Sequence, residues 1–224
     1  MIDLEKTAKR VNLMHQRLWL VPQKAIYWQK KKMLLIADPH LGKAGHFRRN
    51  GIPVPGRINA TNFQLLDDLL ESFEVEHLII LGDLFHSKQN LEWDQFFEWR
   101  SGHSAMEVTL VIGNHDILES DTYHASRINL FHKLRIEPFL LVHDLNAVSI
   151  KNEEKHYLLS GHIHPAVQLR GKARQTMKLP CFYFGDRQGI LPAFGEFTGT
   201  HVIKPKAGDR IYGVVENNVL DLSE

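Results

Sequence analysis

Short apolar segments recur along the chain, each three to five residues long and bounded by polar or turn-forming residues. They are rich in Val, Ile, Leu and aromatic residues, which is the pattern of buried β-strands. These predicted strands span residues 18–21, 25–28, 33–37, 78–81, 108–112, 139–142 and 157–159. Apolar residues at spacings of three and four predict amphipathic helices over 59–73 and 91–100, and a weaker helix over 120–134.

The order of these elements indicates the fold class. Strands and helices alternate from residue 33 to 112, which predicts a sheet covered by helices. Beyond residue 134 the strand pattern continues without convincing helices, and turns and a hairpin near 217–218 indicate a second, more antiparallel sheet. We therefore predict an α/β fold of two packed mixed β-sheets flanked by helices, with residues 1–224 forming a single domain.

Composition and charge exclude several classes of protein. With 43% hydrophobic and 24% charged residues, the chain has the composition of a globular protein. The net charge of +1 gives no general attraction to polyanions, so any such binding must come from local clusters. No apolar run approaches the ~20 residues of a membrane helix, and the charged first ten residues do not resemble a signal peptide. Together with a single cysteine, Cys181, this predicts a cytoplasmic protein that does not contact a membrane.

Five of the predicted strands are followed by residues that can bind metal ions. Ligands of α/β sheets bind outside the carboxyl ends of the strands, so these residues are expected to meet in one crevice. A single Asp or His at such a position is usually a turn, a cap or a structural group, but five in succession are not expected by chance. The five blocks are Asp38-Pro39-His40, Gly82-Asp83, Gly113-Asn114-His115-Asp116, His143-Asp144 and Gly161-His162-Ile163-His164.

The kinds of side chain in these blocks narrow the choice of ion. Carboxylates, imidazoles and one carboxamide, with no thiolate, favour Mn²⁺, Fe or Zn²⁺. Seven candidate ligands exceed one tetrahedral site and suit two ions. Glycines at 82, 113 and 161 would let the backbone turn sharply close to the ions.

The order and spacing of the five blocks resemble the calcineurin-like metallophosphoesterase superfamily. Three further segments, ADPHLGK (37–43), PVP (53–55) and SGHIHP (160–165), are similar to one bacterial subfamily, the ligase-associated DNA damage response endonucleases of the PdeM type. The resemblance implies a metal-dependent phosphoesterase with two divalent ions, manganese first and iron or zinc as alternatives.

The resemblance also implies roles for individual residues. His115 would stabilise or protonate the leaving group, and Asp83 would bridge the two ions. One ion would be held by Asp38, His40, Asp83 and His164, and the other by Asp83, Asn114, His143 and His162.

Two positions depart from the family pattern. Many relatives have a carboxylate where this chain has His86, so either His86 or Asp116 would support His115, or His86 only caps the chain. Relatives usually have glycine where this chain has Asp144, which would either hydrogen-bond a ligand histidine or turn the chain.

Two stretches near the predicted ligands are basic and contain no Asp or Glu. They predict a positive rim that attracts phosphodiester backbones or nucleotides, although solvated loop charges would look the same. The stretch 39–66 carries Lys43, Arg48, Arg49 and Arg57, and the stretch 165–185 carries Arg170, Lys172, Arg174 and Lys178. The candidate substrate-binding residues are Lys43, Arg48, Arg49 and Arg170.

The leading functional hypothesis is a two-metal phosphodiesterase acting on nucleic acid, as a DNA endonuclease associated with repair. One alternative is a small-molecule phosphatase or nucleotide pyrophosphatase on the same site. Another is a non-catalytic scaffold, which the complete ligand set and His115 argue against. A DNA-repair ligase or helicase as partner is implied by the subfamily resemblance alone, and the sequence does not indicate an oligomeric state.

Overall fold

The computed structural model describes residues 4–43, 58–85, 91–149, 153, 155–171, 175–195 and 198–223. Within them, the first sheet has seven strands in the order of the chain. These are β1 (Lys9–Leu13), β2 (Gln16–Val21), β3 (Ala25–Trp28), β4 (Met33–Ala37), β5 (His77–Leu81), β6 (Glu107–Val111) and β7 (Ile128–Phe131). Strands β1 to β4 pair in antiparallel fashion and β4 to β7 pair in parallel.

The second sheet has nine strands among the described residues. They are β8 (Leu134–Ile136), β9 (Phe139–Leu141), β10 (Tyr157–Ser160), β11 (Pro165–Arg170), β12 (Thr176–Phe184), β13 (Gln188–Ile190), β14 (His201–Val202), β15 (Arg210–Val215) and β16 (Asn218–Asp221). The order is β14-β11-β12-β13-β10-β9-β8, and β15 pairs with both β12 and β16. Strand β10 is parallel to β9 and β13, whereas β11, β12 and β13 are antiparallel in succession.

Alternation along the strands divides the core into layers. On β4, Leu35 and Ala37 face the second sheet, whereas Leu34 and Ile36 face the helices. The helices are α1 (Leu4–Thr7), α2 (Ile58–Ser72), α3 (Leu91–Gly102) and α4 (Ser120–Ala125). In the described part of the chain α2, α3 and α4 cover the outer face of the first sheet, and a separate apolar cluster around Cys181 covers part of the outer face of the second.

The predicted fold class is confirmed, and each predicted strand is present with its ends shifted by two residues or fewer. The helix predicted over 120–134 was wrong beyond Ala125. Arg127 takes a left-handed φ of 53° and ends the helix, and the following residues form β7 at the edge of the first sheet. On α3, Trp93 and Phe96 are buried, whereas Phe97 is 43% exposed.

None of the helices in the described ranges has the length and hydrophobicity to cross a membrane.

The two sheets meet where the predicted ligands lie. Ala37, at the end of β4, pairs with Ala193. The backbone N–H groups of Phe194 and Gly195 donate hydrogen bonds to the carbonyls of Ala37 and Asp38. Because β4, β5 and β6 are parallel, their carboxyl ends lie at this same edge. The parallel strands β9 and β10 bring their own ends together, with a hydrogen bond from Gly161 N to the His143 carbonyl.

Candidate metal centre

The predicted ligands come from loops that are far apart in the chain, and the fold gathers them into two groups. One group holds Asp38, His40 and His164, and the other holds Asp83, His143 and His162. In each group the candidate ligand atoms lie within 4.8 Å of one another. These groups agree with the two ligand sets that the family resemblance implies.

The backbone at these residues is unusual. Among the described residues other than glycine, eleven have a positive φ, and five of those are predicted ligands. They are Asp38, His40, Asp83, His162 and His164, with φ between 45° and 70°. Such conformations cost on the order of 1–3 kcal/mol each and persist where the surroundings impose them, as at functional sites.

In the first group, the Asp38 carboxylate is completely buried. Its Oδ2 accepts a hydrogen bond of 2.9 Å from the His162 backbone N–H, and its Oδ1 lies 3.4 Å from Nε2 of His164. These two facing atoms are buried and have no hydrogen-bonding partner in the described part of the chain. Nδ1 of His164 donates to the Gly199 carbonyl at 3.0 Å, so the neutral ring presents a lone pair on Nε2.

The pKa of His164 reflects this environment. Burial lowers it, but the Asp38 carboxylate and the Gly199 carbonyl outweigh burial, so the pKa is raised overall. The carboxylate thus attracts positive charge at this position.

The second group is centred on Nε2 of His143. Nδ1 of His143 donates to the Leu81 carbonyl at 2.9 Å, which leaves a lone pair on Nε2 of the neutral ring. Around Nε2 lie Oδ1 of Asn114 at 3.0 Å, Nδ1 of His162 at 3.1 Å and Oδ1 of Asp83 at 3.5 Å.

Asp83 faces both groups. Its Oδ2 lies 3.7 Å from Nε2 of His40, and its Oδ1 faces His143. The convergence of lone pairs from oxygen and imidazole nitrogen fits two divalent cations, because a cation between such atoms relieves their mutual repulsion. The hydrogen bonds from His143 and His164 to backbone carbonyls also match the way proteins orient metal-binding imidazoles.

Two glycines allow the loops to approach this closely. Gly82 has a φ of +77°, and a Cβ there would lie 2.2 Å from Nδ1 of His143. A Cβ on Gly161 would lie 2.5 Å from Oδ2 of Asp38 and 2.9 Å from the Leu81 carbonyl oxygen. Both glycines are therefore required by close contacts with candidate ligands or their neighbours.

Asp116 holds the ligand loops to each other. Its Oδ2 accepts hydrogen bonds of 2.8 Å from the backbone N–H groups of Asp83 and Gly113, and its Oδ1 accepts one of 2.9 Å from Leu84. Burial raises the pKa of Asp116 to about 6, with Asp83 adding to the increase and the three amides opposing it. The sequence predicted Asp116 as a possible partner of His115, and in the structure its carboxylate accepts hydrogen bonds from three backbone amides.

The remaining predicted residues lie at the edge of the centre or outside it. The His115 backbone N–H donates to Oδ1 of Asp83 at 2.9 Å, and its ring centroid lies 5.5 Å from that of His40. Lys43 is half-buried; burial lowers its pKa, while Asp83 and Asp38 act in the opposite direction.

Asp144 has the hydrogen bonds of a turn residue, which is one of the two roles predicted for it. Its Oδ1 accepts hydrogen bonds from the backbone and side chain of Asn146, whereas its Oδ2 is 4.0 Å from Nε2 of His162, too far for a hydrogen bond. Arg170 is exposed on β11, six residues beyond His164. His86, Arg48 and Arg49 lie outside the described residues.

Sequence reasoning missed the backbone groups that orient the imidazoles. The carbonyls of Leu81 and Gly199 fix His143 and His164, and Gly195 packs so closely that a Cβ would lie 2.5 Å from the Pro39 carbonyl oxygen. Every residue supplies a carbonyl, so no signal in the sequence marks these positions. In the sequence, Gly195 and Gly199 give a weak indication that the backbone approaches the ligands here.

Comparisons with known proteins agree with this geometry. The model of the calcineurin-like phosphoesterase family matches residues 31–183. A nuclease from Pseudomonas putida, MPE, has a structure similar to that of the chain, with 33% sequence identity and a TM-score of 0.81, covering 96% of this chain and 100% of that one.

Weaker structural similarity extends to a protein of unknown function from Aquifex aeolicus, with 17% identity and a TM-score of 0.42 over 59% of this chain and 78% of that one. A predicted phosphoesterase from Streptococcus pneumoniae has 12% identity and a TM-score of 0.36 over 86% of this chain and 97% of that one. A search of curated proteins gives no match.

The family match covers more than half of the chain, and the nuclease similarity extends over nearly all of it. Proteins of this family use divalent metals, and the two groups of Asp and His side chains are candidate sites for them. The chain therefore belongs to the calcineurin-like phosphoesterase family and is a hydrolase that acts on phosphoester bonds.

Proposed function

We propose that the chain is a two-metal phosphodiesterase that cleaves phosphodiester bonds of nucleic acid. The observation that carries the proposal is the convergence of two groups of Asp and His ligand atoms on either side of Asp83. The similarity to a nuclease over 96% of the chain supports nucleic acid as the substrate class.

The proposed ligands are divided between the two ions as the groups suggest. Asp38, His40 and His164 would hold one ion, and Asn114, His143 and His162 the other, with one oxygen of Asp83 on each. When bound, the two ions would supply positive charge that activates a water molecule for attack on phosphorus and neutralises charge in the transition state.

The protein side chains position the substrate and move the proton. The His115 imidazole lies beside His40, where it would protonate the leaving oxygen and contribute about 10²–10⁴-fold to the rate. The Lys43 ammonium interacts electrostatically with both Asp38 and Asp83. It would bind a non-bridging oxygen of the phosphate. Asp116 would keep Asp83 in place through its backbone amide.

Manganese is the proposed ion, with iron and zinc as alternatives, since oxygen and imidazole ligands suit all three. A role in DNA repair, a ligase or helicase partner and a cytoplasmic location stay predictions from the sequence.

The test is hydrolysis of bis-p-nitrophenyl phosphate by the purified chain loaded with manganese. We expect hydrolysis that requires the metal and that the Asp83→Ala variant loses, because removal of the shared carboxylate disrupts both groups. Asp94→Ala, at an exposed position on α3, is the matched control and should retain full activity.

Comparison of this diester with p-nitrophenyl phosphate then distinguishes the substrate classes. A preference for the diester supports the proposal, whereas a strong preference for the monoester would favour a small-molecule phosphatase. Absence of metal-dependent hydrolysis of either compound would refute a catalytic centre.

A further inference from the structure

The strands that follow the last predicted ligand lead away from the metal centre. His164 directly precedes β11, which pairs with β12 on one side and with β14 on the other. The His164 carbonyl accepts a hydrogen bond from His201 N, and its ring is held by Gly199, so β14 also begins beside the centre. We call the surface formed by the described residues of the segments 165–185 and 198–208 the basic ribbon.

The basic ribbon has an unusual charge composition. The two segments contain no Asp or Glu, although they are separated in sequence and meet only in the folded sheet. Their basic residues are Arg170, Lys172, Arg174, Lys178, Lys204 and Lys206. The sequence alone indicated the first segment, and the pairing of β11 with β14 adds the second.

The basic side chains of this surface lack carboxylate partners in the described part of the chain. Arg170, Lys178, Lys204 and Lys206 form no ion pair with any residue in the described ranges. Some basic residues elsewhere are paired with carboxylates: Lys9 with Asp221 at 3.2 Å, Lys32 with Glu76 at 2.7 Å and Arg135 with Glu153 at 3.0 Å. One carboxylate does border the ribbon: Asp209 accepts hydrogen bonds from the Lys206 backbone N–H at 2.7 Å and from the Tyr183 hydroxyl at 3.0 Å, on the side of β15.

The register of β11 and β12 sorts side chains onto two faces. Gln168 pairs with Lys178, Leu169 with Met177, and Arg170 with Thr176. Because side chains alternate along a strand, Arg170 and Lys178 lie on one face, about 7–8 Å apart as diagonal neighbours. Leu169 and Met177 lie on the other face and are 40% and 59% exposed.

The length of the ribbon indicates the size of a ligand that reaches both it and the metal centre. From His164 to Arg170 there are six residues, which at about 3.3 Å each span about 20 Å. Phosphates along a nucleic-acid strand rise by about 3.4 Å per nucleotide, so this span corresponds to about six nucleotides. A mononucleotide or a small phosphoester at the centre cannot reach Arg170, whereas a polynucleotide can.

We propose that the basic ribbon binds the phosphate backbone of a polynucleotide whose scissile phosphate lies at the metal centre. Arg170 and Lys178, which share one face of β11 and β12, bind backbone phosphates of the strand. The inference rests on the proposed function, since it assigns the rest of the substrate to a surface beside the same centre.

The test compares binding with hydrolysis in the full-length chain. Binding of a fluorescent single-stranded oligonucleotide, long enough to reach the ribbon, is measured by anisotropy at several salt concentrations for the wild type and for the double variant Arg170→Gln, Lys178→Gln. Hydrolysis of bis-p-nitrophenyl phosphate is measured in parallel. The matched control is the double variant Lys32→Gln, Lys133→Gln, which removes the same charge from exposed, ion-paired lysines.

We expect the ribbon variant to bind the oligonucleotide at least about tenfold more weakly, with a salt slope smaller by about 0.7 for each phosphate that the variant no longer binds. Its hydrolysis of the small diester should be unchanged, and Arg170→Lys with Lys178→Arg should restore binding. The control variant should behave like the wild type. Exposed positions tolerate such changes, and thermal unfolding verifies that each variant is folded.

Unchanged oligonucleotide binding in the ribbon variant would overturn the inference. Failure of the wild type to bind oligonucleotides, or tighter binding to phosphatidylserine vesicles or an acidic peptide, would also overturn it. Failure of the proposed function is distinguishable, because it appears as absent metal-dependent hydrolysis of the small diester whatever happens to DNA binding.

Discussion

The metal centre and the basic ribbon are neighbours on the second sheet, but they are built in opposite ways. The ligands of the centre are buried or partly buried, five of them have positive φ, and the imidazoles of His143 and His164 are fixed by backbone carbonyls. On the ribbon, Arg170 and Lys178 are exposed on regular strands, without ion-pair partners in the described residues. Chemistry at phosphorus depends on positions within fractions of an ångström, whereas binding of a backbone depends on net charge.

This difference predicts that substitutions at the centre abolish activity, whereas substitutions on the ribbon weaken nucleic-acid binding by an amount that grows with the charge removed. Four variants follow in the order of the size of the effect that we expect; the first three concern the centre and its scaffold, and the last lies outside it.

The largest effect is expected for Asp38→Asn. The substitution removes the charge of a fully buried group whose Oδ1 faces His164, while the size of the side chain is retained. Because even supporting partners of a metal centre contribute about 10–100-fold, loss of a ligand carboxylate should lower metal-dependent diester hydrolysis by more than about 100-fold. Steady-state kinetics at saturating manganese measures this. Asp94→Asn is the control, and a normal rate for Asp38→Asn would remove Asp38 from the ligand set.

Gly161→Ala should have the next largest effect. The added methyl group would meet Oδ2 of Asp38 and the Leu81 carbonyl, so the Asp38 carboxylate must move. We expect manganese affinity, measured by calorimetric titration, to fall by about 10–100-fold. Gly102→Ala places the same methyl group in open space at the end of α3 and should bind manganese normally. Equal affinities of the two variants would argue against close packing around Asp38.

Asp116→Asn should have a smaller effect on the same titration. The amide keeps one acceptor oxygen but loses the other, so the amides of Asp83, Gly113 and Leu84 can no longer all be satisfied. We expect manganese affinity to fall about tenfold, which is the lower end of the range for residues that support metal ligands. Asp121→Asn, exposed on α4, serves as the control. An unaltered affinity in Asp116→Asn would show that the ligand loops hold their positions without it.

The smallest effect is expected for His77→Gln, at the opposite end of β5 from Asp83. His77 Nε2 bonds Thr109 Oγ1 at 2.8 Å, and burial lowers the pKa of His77 although nearby Glu107 raises it. A pKa below the unfolded value of about 6.5 means that the unfolded chain binds the proton more readily. The free energy of unfolding should therefore fall as pH drops below about 6.5, and less steeply in the variant.

Urea unfolding of both proteins at a series of pH values measures that difference. Manganese binding and diester hydrolysis should be unchanged, which separates a structural histidine from the ligand histidines. A large loss of activity in His77→Gln would show that the two ends of β5 are not independent.

Sequence reasoning was most successful where local pattern and function coincide. Residues 33–37 and 78–81 are uniformly apolar because both faces of these strands are buried, and the ligands follow them directly. The helix over 120–134 failed because the apolar residues of β7 also fit helical spacing, and only pairing with β6 decides between the two.

The second sheet was less accessible to such reasoning. One end of both β11 and β12 is exposed, and β14 is two residues long, so none of these strands gives a clear apolar signal. The pairing of β14, which Lys204 and Lys206 follow in the chain, with β11 is a long-range contact that no local pattern encodes. The backbone carbonyls that orient His143 and His164 were missed for the same reason.

The most direct test of the central claim is a count of bound metal ions. Metal-free protein titrated with manganese and then analysed by mass spectrometry of the elements should hold two ions per chain, one for each group of ligands. Saturation at a single ion, or a folded chain that binds none under excess manganese, would contradict it.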